Sequence, residues 1–179
     1  MTPGSLSRLR IIEYSTSIAA AACGKMLADL GAAVLKVEPP RTGDPARYHG
    51  PFPDDMPDPE RSGLFLYLNT NKRGVTLDPA GPTGRALLRG LLAVADVFLH
   101  NWPPAPAAAL GLDYEHLRQQ QPRLIITAVT PYGSSGPYAN YQGADITACA
   151  AGGVSIGTGF PDRPPLTLPL SLGAHFASV

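Results

Sequence analysis

Short apolar runs alternating with helix-patterned stretches constrain this chain more than any other feature. Residues 9–14, 34–38, 75–77, 97–99 and 124–129 read as strands built from Val, Ile, Leu, Phe and Thr. Residues 19–30 carry Ala, Met and Leu at helical spacing, with Gly31 placed to end that helix. Residues 82–95 open on Pro82 and place Ala86, Leu87, Leu88, Leu91, Leu92 and Val94 at helical spacing. Asp113 is positioned to cap a short helix through Gln120, and residues 145–151 read as a small-residue helix. Apolar strands joined by helices pair in parallel, and the helices then cover both sheet faces. The expectation is an α/β fold with an open, mostly parallel sheet.

At 179 residues the chain has room for one sizeable core, so one domain is expected. Fourteen basic and 14 acidic residues cancel, which points to neither nucleic acid nor an anionic membrane. Cys23 and Cys149 make no disulfide framework, so the setting expected is a reducing cytoplasm with both thiols acting as small apolar residues. Arg8 and Arg10 precede an apolar stretch ending in Ala22-Cys23, in the manner of an export signal. Glu13 interrupts that stretch, and the pattern runs on into a helix and a strand. No apolar run approaches the roughly 20 residues that span a bilayer.

Two kinds of segment are candidates for binding. Residues 39–66 form a long Pro-rich loop, with seven prolines between Pro39 and Gly63, and a loop that long in a compact domain is more often functional than filler. The run Leu68-Asn69-Thr70-Asn71-Lys72-Arg73 crowds amide and cationic donors before a strand, which suits an anionic ligand as well as it suits a solvated turn. Open parallel sheets bind ligands beyond the carboxyl ends of their strands. Asn101-Trp102 and Tyr132-Gly133 follow their strands and are better placed on that ground. No Gly-x-Gly-x-x-Gly follows the first strand, and no phosphate-loop motif occurs.

Taken in order, several segments resemble the class III coenzyme A transferase family, which includes formyl-CoA and carnitine-CoA transferases and alpha-methylacyl-CoA racemases. They are Lys25-Met26-Leu27-Ala28-Asp29-Leu30-Gly31-Ala32, Val34-Leu35-Lys36-Val37-Glu38-Pro39-Pro40, Gly43-Asp44-Pro45, Asn69-Thr70-Asn71-Lys72-Arg73 and Ala95-Asp96-Val97. Asn101-Trp102-Pro103-Pro104, Leu110-Gly111-Leu112-Asp113-Tyr114, Gln121-Pro122-Arg123-Leu124-Ile125 and Gly133-Ser134-Ser135-Gly136-Pro137-Tyr138 complete the series. The resemblance implies a Rossmann-like large domain, of which residues 1–179 would be the amino-terminal part in a protein about twice as long. It also implies an interlocked homodimer in the full-length protein. The final segment, 172–179, reads as the opening of a helix, in keeping with the front portion of such a protein.

For activity, the resemblance implies movement of CoA between carboxylic acids through acyl-CoA thioesters. CoA would lie across the first strand–helix turn (Thr16, Ile18, Ala19), the Asn-rich turn (Leu68, Asn69, Asn71, Lys72, Arg73) and the Asn101-Trp102 pair. The turn lacks the family's Ala-Gly-Pro, and a basic residue often found before Leu110-Gly111-Leu112 is replaced within Ala107-Ala108-Ala109. The transferase nucleophile, an Asp, would fall on Ala174 or His175, neither of which is a carboxylate. The racemases draw a His from a Gly-His-Asp segment that reads Gly143-Ala144-Asp145 here, and Asp145 would be structural, capping the helix after it. The catalytic residue is therefore unassigned, and a degenerate CoA-binding or dimerisation half is the alternative to an active transferase. A Rossmann-like domain for some other nucleotide is a third, generic reading.

Among the histidines, His175 reads as structural or substrate-contacting, and His49 and His116 as solvated. His100 is a candidate to line the ligand site. No pair of histidines has metal-ligand spacing with a carboxylate nearby, so no metal is expected.

Overall fold

A computed structural model describes residues 4–160, 162–164 and 166–176. Five strands form one sheet: β1 (Arg10–Tyr14), β2 (Ala33–Glu38), β3 (Arg73–Thr76), β4 (Val97–His100) and β5 (Ile125–Ala128). The order is β3-β2-β1-β4-β5, and every neighbouring pair is parallel. The fold is α/β, as expected. The helices are α1 (Ile18–Asp29), α2 (Gly63–Leu68), α3 (Pro82–Ala93), α4 (Pro104–Ala109), α5 (Tyr114–Gln120), α6 (Asp145–Ala151) and α7 (Leu172–Phe176).

Strand alternation sorts the side chains onto two faces. Ile12, Tyr14, Val37 and Phe98 pack with Leu88 and Leu92 of α3 and Leu117 of α5. Ile11, Val34, Val97 and Leu99 face the other way, against Ala20 and Ala28 of α1. The opposite side of α1 presents Ala21 and Ala22 to Phe65 and Leu68 of α2, beside Ala46 of the Pro-rich segment. The helix is thus packed on two sides, and alanines permit that close approach. Ser17 caps α1 by accepting from Ala20 N, and Gly31, at φ 101°, follows its end in the left-handed region.

Two short helices lie outside the sequence expectation. The segment 39–66 is not a plain loop, since 3₁₀ turns at Pro45–Tyr48 and Pro53–Asp55 are followed by α2. Ser62 Oγ starts α2 by accepting from Phe65 N and itself donates to Ala46 O at 2.8 Å. The second helix, α4, opens on Pro104 in its first turn. The strand expected at 75–77 begins earlier, at Arg73, and all four of its residues are exposed at the sheet edge. Asp113 caps α5 as expected, accepting from Glu115 N and His116 N. The terminal helix is described through Phe176, and positions 177–179 of that expectation lie outside the described residues.

Candidate active site at the strand-order reversal

The chain runs outward from β1 to β2 and β3, then crosses back to place β4 on the other side of β1. The segments leaving β1 and β4 therefore diverge, opening a crevice beyond their carboxyl ends. One interaction spans it. Thr16 N donates to Asn101 Oδ1 at 2.9 Å, and Asn101 Nδ2 lies 3.4 Å from Thr16 Oγ1. Asn101 thus ties the turn entering α1 to the end of β4.

Behind this turn lies a buried cluster of four charged groups. Glu13 and Lys36 are register partners on β1 and β2, both on the α1 face. Lys36 Nζ stands 2.9 Å from Glu13 Oε1 and 2.7 Å from Asp44 Oδ2. Lys72 Nζ reaches under α1 to within 2.7 Å of Glu13 Oε2, and donates to Ala21 O at 2.7 Å and Asn69 Oδ1 at 3.1 Å. Ser15 Oγ donates to Glu13 Oε1 and Lys36 Nζ to Ser15 O, so the ammonium and carboxylate groups are enclosed by polar partners. Glu13 Oε2 and Asp44 Oδ2 meet their lysines off the ideal hydrogen-bond directions, so these contacts act as close ion pairs.

Burial alone would lower the Lys36 pKa, but the Glu13 and Asp44 carboxylates outweigh it and hold the ammonium above its ordinary value. Lys72 goes the other way, because burial outweighs its single carboxylate partner and Lys36 adds repulsion. Gly24 is fitted to the cluster, since a Cβ there would overlap Glu13 Oε2 and come within 3.2 Å of Lys72 Nζ. The same network anchors the Pro-rich segment. Asp44 Oδ1 accepts from Ala46 N, and Arg47 grips Glu38 with Nε at 2.8 Å and Nη2 at 3.0 Å while lying over the Phe65 ring.

Two cavities flank the first turn of α1. One, of about 660 Å³, lies between that turn, the anchored Pro-rich segment and α2, and is lined by Thr16, Ile18, Asp44, His49, Tyr67 and His175 among others. The second, of about 620 Å³, lies on the β5 side, with Ala19, Val129, Asp145, Cys149, Leu168 and Ala174 in its wall. Ser17, Ile18 and Ser171 belong to both. The two spaces therefore meet at the amino end of α1, whose first N–H groups have no intrahelical acceptor.

Of the residues singled out from sequence, Thr16, Ile18 and Leu68 line the first cavity, and Ile18 and Ala19 the second. Asn101 bridges to Thr16. Trp102 is half-buried, its ring 4.8 Å edge-on from Tyr14. The Asn-rich turn is bound into the fold at several points. Asn69 donates to Phe65 O, Asn71 to Asp29 Oδ1, and Lys72 points inward, whereas Arg73 is exposed on β3.

Two sequence readings are corrected. His100 does not line the ligand space; it is buried on the α3 face, stacked 4.9 Å from the Phe98 ring, with Nδ1 accepting from Trp102 N. Desolvation lowers its pKa to about 4, so it is neutral at physiological pH. Asp145 does not cap the helix it begins, because Ala144 stands at the cap, and Asp145 Oδ1 instead accepts from Ala174 N at 2.6 Å. His49 is exposed, as expected, and also lines the first cavity, with Nδ1 2.9 Å from Pro45 O.

The buried four-charge cluster was missed from sequence. Its signal was a single charge in each of two otherwise apolar strands, Glu13 and Lys36. Among the described residues no group of three or more His, Cys, Asp or Glu side chains gathers as a metal site would require, and no helix is long and apolar enough to cross a membrane.

Known proteins share both this sequence and this architecture. The succinyl-CoA–D-citramalate CoA-transferase of Chloroflexus aurantiacus is 37% identical over 179 residues, covering 98% of this chain and 43% of that protein. The formyl-CoA:oxalate CoA-transferase of Escherichia coli is 32% identical over 168 residues, covering 94% and 39%. The crystal structure of a CAIB/BAIF family protein from Brucella suis superposes with a TM-score of 0.88 at 34% identity, covering 99% of this chain and 47% of that one. The chain spans less than half the length of these relatives. A family model matches residues 6–179, and the chain belongs to CoA-transferase family III.

Proposed function

We propose that the protein containing this chain transfers CoA between carboxylic acids through acyl-CoA thioesters. The carrying observation is the crevice at the strand-order reversal, where two cavities converge on the amino end of α1, whose Ser17 cap takes Ala20 N and leaves the N–H groups of Ile18 and Ala19 without an intrahelical acceptor. A thioester carbonyl held there would have backbone donors for the negative charge that develops on its oxygen during attack. The largely apolar walls keep water away, which matters because an activated acyl group is otherwise hydrolysed. Relatives of this chain are named for CoA transfer involving citramalate, glutarate and oxalate, so the proposal is for the reaction class rather than one acid.

CoA would rest across Thr16, Ile18 and Ala19, with Leu68 in the wall and the Asn101–Trp102 pair at the end of β4. Asn69, Asn71 and Lys72 would shape the site from behind, and exposed Arg73 is available to an outlying phosphate. The whole protein would work in the cytoplasm as an interlocked homodimer whose other residues complete the acid pocket.

One observation favours a second reading. Residues 171–176 read Ser-Leu-Gly-Ala-His-Phe, with no carboxylate where the family resemblance would place the nucleophile. That fits a CoA-binding subunit without transfer activity of its own. Thermal unfolding with CoA tests the shared part of both readings. Ligand at 100 times its Kd stabilises by about 2.7 kcal/mol, so the unfolding temperature should rise by several degrees. No shift at millimolar CoA would remove both.

A further inference from the structure

Both cavities are walled mainly by apolar and hydroxyl-bearing side chains. Among the described residues, His49 and His175 are the only basic side chains that line either one, and both belong to the first cavity. We propose that the first cavity takes a second anionic group of the acid, with His49 as its anchor, so that acids carrying two carboxylates are preferred. The inference rests on the CoA-transfer reading and gives that site its substrate class.

Local structure prepares the imidazole for this part. Pro45 O, a carbonyl that can only accept, lies 2.9 Å from His49 Nδ1. Nδ1 therefore carries the hydrogen, and Nε2 is left as the titrating nitrogen. A proton taken up at Nε2 adds a second donor and a positive charge without disturbing the first bond. The backbone beneath the ring is held on both sides. His49 N donates to Ala46 O at 3.2 Å, and the wholly buried Ser62 places Oγ within hydrogen-bond reach of His49 O. The ring itself stays exposed, where an entering ligand can meet it.

The surrounding charges steer an anion to this side. Asp44 lines the same cavity, but Lys36 Nζ at 2.7 Å balances it inside a cluster of two carboxylates and two ammonium groups. Arg47, the neighbouring cation on the Pro-rich segment, is bound to Glu38 and Glu60, and Tyr48 OH donates to Thr42 O. Tyr67 of α2 and His175 of α7 are the other titratable groups that line the cavity. The second cavity holds Asp145 and no cation, which repels a far carboxylate. Ser17, Ile18 and Ser171 belong to both spaces. An acid whose reacting carboxylate lies at the amino end of α1 thus has one favourable direction for the rest of its chain. Ile18, Pro51 and Leu64 give apolar surface to the methylenes between.

The test is calorimetric binding of glutarate, and of valerate (the same chain with one carboxylate fewer), to the CoA-loaded full-length protein and its His49→Gln variant. Gln can still donate to Pro45 O but takes no charge. Glutarate should bind the wild type about fivefold more tightly than valerate, the size of a solvent-screened ion pair. That advantage should grow from about pH 8 to about pH 6 as imidazole protonates, and His49→Gln should lose both the advantage and its pH dependence. Equal binding of the two acids, or an advantage that survives His49→Gln, overturns the subsite. Weaker binding of CoA itself by His49→Gln would assign the histidine to a cofactor phosphate and overturns it as well. Acid exchange is read separately. Exchange of both acids without a glutarate advantage removes the subsite alone, whereas a glutarate advantage without exchange removes the CoA-transfer reading and leaves an acid-binding site.

Discussion

Glu13 and Lys36 face each other from adjacent parallel strands as register partners, 2.9 Å apart and almost wholly removed from solvent. Each has a second partner of opposite sign, Lys72 for Glu13 and Asp44 for Lys36. The cluster joins β1, β2, the Pro-rich segment and the turn before β3, which are the parts that frame the first cavity. Its net charge balances, so no member is replaceable alone without stranding a buried charge.

Lys36→Met is therefore expected to destabilise the protein by about 3–5 kcal/mol. Urea unfolding checks the size of the loss. A cost below about 1 kcal/mol would mean that water reaches Glu13 and Asp44 and that the cluster is not sealed.

Gly24→Ala places a methyl group against Glu13 Oε2. Helix propensity alone would make this substitution favourable by up to about 1 kcal/mol, so destabilisation would report the overlap directly. Pairing it with Glu13→Ala, which removes the obstructing carboxylate, should give a double variant less unstable than the sum of the two single changes. Simple additivity would show that Gly24 and Glu13 do not meet.

His100 makes a pH-dependent contribution. Its folded pKa of about 4 lies below the ordinary 6.5, because burial penalises the imidazolium. The unfolded chain therefore takes up the proton first as pH falls. Stability is fully present above about 6.5 and is lost toward pH 4, by roughly 3 kcal/mol if the full shift is expressed. His100→Gln should unfold with a weaker dependence over that window than the wild type, and an identical profile would place the titration elsewhere.

Asn101→Ala removes the acceptor for Thr16 N and loosens the crevice mouth. Loss of one hydrogen bond corresponds to about 1 kcal/mol, or roughly a fivefold weaker Kd for CoA if the bond positions the turn for binding. Calorimetric titration reads this effect, and an unchanged Kd would separate the Thr16–Asn101 tie from ligand binding.

The sheet and its main helices were legible because they follow simple periodicities. The apolar runs of β1, β2 and β4 and the long helices α1 and α3 fall close to their sequence bounds. Helix α2 was hidden because six residues are too few to show a 3.6-residue period, and seven prolines before it suggested a continuous loop. The exposed strand β3 gave no alternation, since neither face of it is covered.

For the site, Thr16, Ile18, Ala19 and Leu68 could be named only because the family resemblance implies CoA at those turns, and all four line a cavity. What sequence could not supply was pairing at a distance. Glu13 reads as a charge interrupting an apolar run until parallel register sets Lys36 beside it, and Lys72 reads as a donor for an anionic ligand or a turn residue until its side chain is seen under α1. His100 stayed only a candidate because the strand alternation that turns it away from the crevice becomes visible only once the two faces are assigned. Asp145 was misjudged because its acceptor role lies 29 positions away, at Ala174.

The most direct measurement of the central claim is transfer of an isotopically labelled carboxylic acid into the acyl-CoA pool by the full-length protein. Label is expected to enter the thioester in the presence of acyl-CoA, with CoA also raising the melting temperature. Label confined to the free acid across the acids named for the relatives, with CoA demonstrably bound, would contradict it.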